Sequence, residues 1–136
     1  MDKKLIEAAG ICEAMTHAKK LYFSSLKPSD IPEGIAGVYA IFNANTGETL
    51  YVGRTKNLRQ RLYSNHLHGP LNNARLKKYL IEDPGQPDVS TITEAKEYLI
   101  EHCYAQYLVE PALLRRGQIE GLLSFMLNVR YIPEEH

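Results

Sequence analysis

Two tyrosines, Tyr39 and Tyr51, each stand near a glycine in mirrored triplets, Gly37-Val38-Tyr39 and Tyr51-Val52-Gly53. Eight residues after the second glycine comes Arg61, and an acid among apolar neighbours, Glu120, follows much later. Phenols, a guanidinium and a carboxylate make a set able to hold a phosphodiester and a metal ion. Hydrolysing such an ester needs an activated water, charge stabilisation in the transition state and help for the leaving oxygen. Arg61 offers a bidentate fork to non-bridging phosphate oxygens. Glu120 suits Mg²⁺ (or Mn²⁺), since Mg²⁺ is a hard cation that binds through one or two carboxylates and keeps several waters. Such an ion polarises the scissile phosphate and stabilises the departing 3′ oxygen. A tyrosine is a poor base at its reference pKa of about 10 unless cations depress it. Arg54, Lys56 and Arg61 are the cations available for that.

These residues are far apart in sequence, so particular elements must bring them together. Residues 37–43 and 49–53 are β-rich runs around the turn cluster Ala44-Asn45-Thr46-Gly47-Glu48, which reads as a hairpin. A three-residue loop, Asn45-Thr46-Gly47, with Gly47 left-handed is the natural connection. It pairs Ala44 with Glu48, Tyr39 with Gly53 and Ile41 with Tyr51. Both rings then emerge on one side of the sheet as diagonal neighbours, whereas a two-residue loop sends them to opposite faces. Thr55 is a good N-cap for a helix carrying Leu58 and Leu62 on its core face. Arg61 and Asn65 lie four apart, one strip round from the leucines, where a helix can present an arginine to a ligand lying on the sheet.

The remaining pattern alternates helix and strand. Residues 71–81 read as a second helix, stopped by Asp83-Pro84-Gly85, and Thr91 with Glu94 forms a capping box opening a third. Residues 102–109 read as a third strand. Pro111 begins a helical segment, with Gly117 as a break before the Glu120 helix. Residues 2–22 form an amphipathic helix with Leu5, Cys12, Met15, Ala18 and Tyr22 near one face, followed by a proline-containing connector over residues 24–33. With 136 residues and 44% hydrophobic content the chain can build one core. Cys12 and Cys103 fit apolar positions as free thiols of a reducing compartment. His66 and His68 sit near a Gly69-Pro70 turn, and a solvated loop explains them better than a metal pair.

In type and order these residues resemble the GIY-YIG nuclease domain, over roughly Gly37 to Tyr131. The resemblance rests on the two triplets (with valine for both isoleucines), Arg61 in a helix, Glu120 in a late helix and a closing asparagine, Asn128. In part of that family a histidine or tyrosine stands four residues after the arginine; here the position is Asn65, with His66 beside it. The resemblance implies an α+β fold: a small three-stranded antiparallel sheet flanked by helices. Residues 1–33 would be an added N-terminal helix and connector, and residues 34–136 the nuclease-like domain. It also implies catalytic roles for Tyr39, Tyr51, Arg61, Glu120 and Asn128, with a single metal ion on Glu120 and one tyrosine as base or water-orienting group. The sequence leaves open which tyrosine that is, with a slight preference for Tyr39.

Charge supplies an independent argument about the partner. The chain is neutral, with 16 basic and 16 acidic residues, yet Arg54 to Lys78 holds seven basic residues and no acidic one. These are Arg54, Lys56, Arg59, Arg61, Arg75, Lys77 and Lys78, and the sign reverses from Tyr79 to Glu110. A basic block beside the motif is the footprint of a polyanion. With Asn65 it forms the expected DNA-binding surface, where Gly53 would let backbone approach a phosphate. The expected activity is a metal-dependent DNA endonuclease or nickase acting in DNA repair. Selectivity for branched structures, a homodimer or a partner protein would supply specificity. A catalytically silent nucleic-acid-binding or protein-interaction module on the same fold is the alternative. No signal peptide and no bilayer-length apolar run is present, so a cytoplasmic location is expected, or a nuclear one in a eukaryote.

Overall fold

The hairpin forms where period-two alternation and the turn cluster demand it. A computed structural model describes residues 1–67 and 75–133. In chain order it shows α1 (Asp2–His17), β1 (Leu21–Tyr22), β2 (Gly37–Asn43), β3 (Thr49–Thr55) and a π-helix (Gln60–Leu67). There follow α2 (Arg75–Glu82), α3 (Ile92–His102), β4 (Cys103–Val109) and α4 (Leu113–Met126). The expected helix start at Leu71, His68 and the Gly69-Pro70 turn lie outside the described residues.

The fold is α+β, with an antiparallel sheet flanked by helices. The sheet has four strands in the order β1-β4-β2-β3 rather than three. The fourth comes from the N-terminal segment expected to be helical through Tyr22. Helix α1 stops at His17, and Ala18 is already extended at φ −64°, ψ 157°. The reason is local: Leu21 and Phe23 are buried while Tyr22 between them is exposed, a period of two that a strand satisfies and a helix does not. Leu21 pairs with Ala105 of β4. Gln106 of β4 donates through Nε2 to the backbone oxygens of Thr16 (3.2 Å) and Ala18 (2.6 Å), satisfying carbonyls at the end of α1. Leu5 is exposed, and the sheet-facing residues of α1 are Met15, Ile11 and Cys12.

Tyr39 pairs with Gly53 and Ile41 with Tyr51, as expected, but the route differs. Asn43 N–H donates to Glu48 O (2.9 Å) and Gly47 N–H to Asn43 O (2.8 Å), so the loop has four residues, Ala44 to Gly47. Gly47 adopts φ +77°, where a side chain would be strained. The register then shifts between Ile41 and Phe42, with Leu50 as the extra residue of a β-bulge. The bulge restores the pairing that puts both tyrosines on one face.

Each face of the sheet carries its own core. Val38, Ala40, Phe42, Val52 and Tyr104 pack with Met15 of α1 and with Ile119 and Leu123 of α4. The opposite face, with Tyr39, Ile41 and Ala105, packs against Leu58, Leu62, Leu76, Leu80 and Leu99. Each such leucine contributes about 1.5–3 kcal/mol through burial. The leucines at 58 and 62 therefore fasten the segment bearing Arg61 onto the sheet. Helix α4 is continuous through Gly117, contrary to the expected break. A Cβ at Gly117 would collide with the Arg54 guanidinium, so the glycine gives that side chain room to cross the helix. Beyond α4 the chain reverses at Asn128 (φ 51°), and Arg130 and Tyr131 donate their N–H groups to Thr49 and Leu50 of β3.

Candidate active site

Pleating and register together place the two phenols side by side. The rings of Tyr39 and Tyr51 lie with centroids 6.2 Å apart at 29°. Tyr39 is 2% exposed, and its ring crosses directly over Gly53. A Cβ at Gly53 would strike the Tyr39 ring and hydroxyl, so this glycine makes space for the tyrosine. On the side where a side chain would stand, the phenol fills the space that the glycine leaves.

The segment carrying Arg61 begins with a cap, but Asn57 supplies it rather than Thr55. Asn57 Oδ1 accepts from the N–H of Gln60 (3.1 Å), while Thr55 Oγ1 accepts from the N–H of Asn57 (3.1 Å) and closes the strand end. From Gln60 onward the helix is of π type, with one extra residue per closed ring. The wider winding suits a partner five residues on, and His66, not Asn65, reaches the phenols. Its Nε2 lies 2.7 Å from the Tyr39 hydroxyl, and its ring meets both tyrosine rings edge-on at 5.2 and 5.6 Å. His66 is 1% exposed, and its Nδ1 has no hydrogen-bond partner among the described residues. Burial, with the Arg61 and Lys77 charges adding, pushes its pKa down to about 3, so the imidazole is neutral in neutral solution. The expectation that His66 lies in a solvated loop is corrected: it is buried on the π-helix, and a helical spacing of 3.6 residues per turn pointed to Asn65 in its place.

Glu120 comes from the opposite face of the sheet. Helix α4 runs along β3, which is an edge strand, and Glu120 stands at that edge. Its carboxylate is 3.9 Å from Arg54 Nε, a loose pair, and its side chain is 33% exposed. Partial burial raises its pKa, opposed by the Arg54 charge and backbone N–H. The site is also electrically connected. Tyr39 is raised well above its usual value by burial first, then by Tyr51; Arg61 lowers it and Glu120 raises it. Tyr51, partly buried, is raised by burial and Tyr79, lowered by Arg75 and Arg61, and raised by Glu120. The structure therefore brings Tyr39, Tyr51, Arg61 and Glu120 within electrostatic reach around the outer edge of β3.

The other expected residues divide into groups. Arg54, Lys56 and Arg61 line a cavity of about 400 Å³ beside this edge, with Thr55, Asn57, Gln60, Leu113 and Arg116. Arg75 and Lys78 are exposed on α2, and Asn65 is half-buried on the π-helix. Arg59 instead ties the connector down, donating through Nε to Ile31 O (2.8 Å), with Nη1 3.7 Å from Glu33. Lys77, expected on the solvated basic surface, is 1% exposed, and burial with the Lys96 charge lowers its pKa to about 8. Asn128 stands at the far end of α4, where the chain turns back toward Thr49; the Arg54–Glu120 pair marks the other end of β3. Among the described residues no group of three or more His, Cys, Asp or Glu could jointly hold a metal ion. The donor set at the site is a single carboxylate, which fits a hydrated Mg²⁺ and not a zinc-type cage. No described helix is long and apolar enough to cross a membrane.

Comparison with known proteins gives a consistent picture. A family model described as the GIY-YIG catalytic domain matches residues 35–104, just over half of the chain. That range contains Tyr39, Tyr51, Arg61 and His66, while Glu120 and Asn128 lie beyond it. The UvrABC system protein C of Campylobacter jejuni subsp. jejuni serotype O:23/36 (strain 81-176) is 34% identical over 79 residues, covering 54% of this chain and 13% of that protein. The protein of the same description from Campylobacter jejuni strain RM1221 matches with the same figures. The chain thus spans a small part, 13%, of the curated relatives it matches. No solved structure matches it significantly.

Proposed function

This chain belongs to the GIY-YIG catalytic domain family, a nuclease family, and on that premise we propose that it is a metal-dependent DNA endonuclease. The observation that carries the reading is the gathering of two phenols, Arg61 and Glu120 around one strand edge beside a cation-lined cavity. Arg61 would hold the non-bridging oxygens of the scissile phosphate and take up charge as it develops. Glu120 would hold Mg²⁺ or Mn²⁺, and the chemistry such an ion supplies is polarisation of the phosphate and stabilisation of the leaving oxygen.

Tyr39 would act as the phenolate: its own proton is first given up to solvent, and the ionised oxygen then takes the proton of the attacking water, with His66 as its positioning residue. A buried N–H without a partner is rarer than an unmatched acceptor, so the hydrogen-bond network favours the tautomer in which His66 Nε2–H donates to the Tyr39 oxygen. That tautomer leaves the hydroxyl proton of Tyr39 directed away from His66, and its N–H steadies the phenolate once the proton is lost. Tyr51, more accessible, would hydrogen-bond the phosphate from the adjacent position. The described relatives carry the name of a system with several proteins, and this chain covers a small part of each. Target selection by a partner protein or a second copy is therefore part of the proposal.

Supercoiled plasmid and a branched duplex, incubated with Mg²⁺ or Mn²⁺, test the reading. Wild type should nick, while Glu120→Ala and Arg61→Ala should lose about a hundredfold or more in rate, in line with removal of one preorganised charge-stabilising group. Cleavage that survives both substitutions, or salt-sensitive binding with no cleavage under any metal, overturns the enzyme reading.

A further inference from the structure

We infer that the cavity at the end of β3 is a second phosphate site, holding a phosphodiester that flanks the scissile one; this rests on the nuclease reading and deepens it. Arg54, Lys56, Arg61 and Arg116 line the cavity, and among the described residues no acidic side chain does. Arg116 is the decisive member. It is 5% exposed, and its Nη1 donates to the backbone oxygens of Glu110 (3.2 Å) and Pro111 (2.8 Å). Among the described residues it has no carboxylate partner, although the neighbouring Arg115 has both Glu7 and Glu110.

A guanidinium removed from water is costly unless its charge is matched. Two carbonyl dipoles match it only in part, and the charged residues that line the cavity with it are, among the described residues, all cations. Such a group is poorly stabilised alone and well stabilised by an anion. The neighbours reinforce the point. Among the described residues the ion pair of Arg54 is its loose contact with Glu120, and Lys56 is exposed at the rim.

The position of the cavity identifies which anion. Arg61 lines it and also lowers the pKa of both site tyrosines, so cavity and proposed reaction centre share one guanidinium. Arg116 and Glu120 are one turn apart on α4 and face neighbouring directions. Two phosphates of one strand could thus be held at once, one by Arg61 beside Glu120 and the next by Arg116 and Lys56. Planar guanidinium forks suit phosphate geometry. A free phosphate or a strand-terminal one would present the same chemistry, and the test separates these sources.

Metal-free full-length protein is titrated with inorganic phosphate and, separately, with thymidine 3′,5′-bisphosphate. Backbone amides of residues 54–60 and arginine Nε–H signals are followed by NMR. Saturable shifts with inorganic phosphate are expected. The bisphosphate should bind about tenfold tighter, because its second phosphate engages intramolecularly. In Lys56→Ala and Arg116→Gln the bisphosphate should fall to the affinity of inorganic phosphate. The exposed Lys56 variant keeps the test valid if the Arg116 variant does not fold. An unsaturable response to both ligands overturns the site. A bisphosphate no tighter than inorganic phosphate overturns the flanking role and leaves a free-phosphate pocket. The titrations need no cleavage, so plasmid nicking combined with an unaltered bisphosphate affinity in Lys56→Ala sinks this inference alone.

Discussion

A phenol buried against a neutral imidazole has a steep requirement for ionisation. Tyr39 is raised well above 10, chiefly by burial, and Tyr51 is raised as well, while His66 titrates at about 3. If Tyr39 takes the water's proton, the nicking rate should climb steadily from pH 7 to 9.5 with no inflection between pH 6 and 7. A sigmoid centred in that lower range and abolished by His66→Gln would mean the imidazole itself titrates, against its burial. The same shift governs acid stability. Folded His66 has a pKa of about 3 against an ordinary 6.5, so the unfolded chain binds more protons between those values. Stability from this group is full above pH 6.5, declines as pH falls through the window and reaches its floor below about 3. Urea midpoints measured at pH 7.5 and 5 should therefore diverge more for wild type than for His66→Gln. Equal losses would show that the imidazole is not desolvated in the native state. At the facing position, Gly53→Ala forces the Tyr39 ring off its place, an overpacking that costs about 1–3 kcal/mol. An unchanged urea midpoint would contradict the observed crossing of ring and strand.

Caps separate elements that only support the fold from those that also carry chemistry. Thr91 Oγ1 accepts from the N–H of Glu94 (3.1 Å) and opens α3, while Asn57 Oδ1 opens the segment that bears Arg61. Replacing either by alanine should cost about 1 kcal/mol of stability. Thr91→Ala should leave the nicking rate intact, since α3 contributes no side chain to the reaction centre, whereas Asn57→Ala should lower it by loosening Arg61. Equal rates for the two variants would detach the cap from the site. The elements were legible where the signal was local. Thr91 with Glu94 reads as a capping box; Thr91 Oγ1 does accept from the Glu94 N–H, while the Glu94 carboxylate accepts from the N–H of Ser90, one residue earlier. Gly47 takes the positive φ its turn position requires, and Tyr39 meets Gly53 as alternation demands. Three features were not legible. The Leu50 bulge compensates a loop one residue longer than expected, so the register emerged from two offsetting changes. The π-helix breaks the 3.6-residue spacing on which the Asn65 reading depended. Lys19 and Lys20 hide the change from helical to alternating period that turns residues 21–22 into a strand.

For the whole molecule, a neutral sum conceals a sorted surface, and folding decides which cations face outward. Sequence grouped seven basic residues from Arg54 to Lys78 into one block. The fold withdraws Lys77 into the interior and spends Arg59 on the Ile31 carbonyl, and it adds Arg116 from a helix on the other face of the sheet. No run of residues could reveal that exchange, because it depends on α4 crossing the edge strand, which also delivers Glu120. The difference is measurable through counterion release. Each cation that contacts a phosphate of duplex DNA contributes about −0.9 to the slope of log K against log salt concentration. Arg54, Lys56, Arg75 and Lys78 remain at the surface near the site. Lys56→Ala and Arg75→Ala should each make the slope shallower by roughly one unit. Lys77→Met and Arg59→Ala should leave it as it was, whatever they do to stability, because Lys77 is buried and Arg59 is held on the Ile31 carbonyl beside Glu33. Anisotropy titrations of a labelled duplex between low and moderate salt, without metal, give these slopes directly. If Arg59→Ala flattens the line as much as Lys56→Ala, the charged surface follows the sequence block and not the folded arrangement, and the DNA must then lie across the connector instead of the edge of β3.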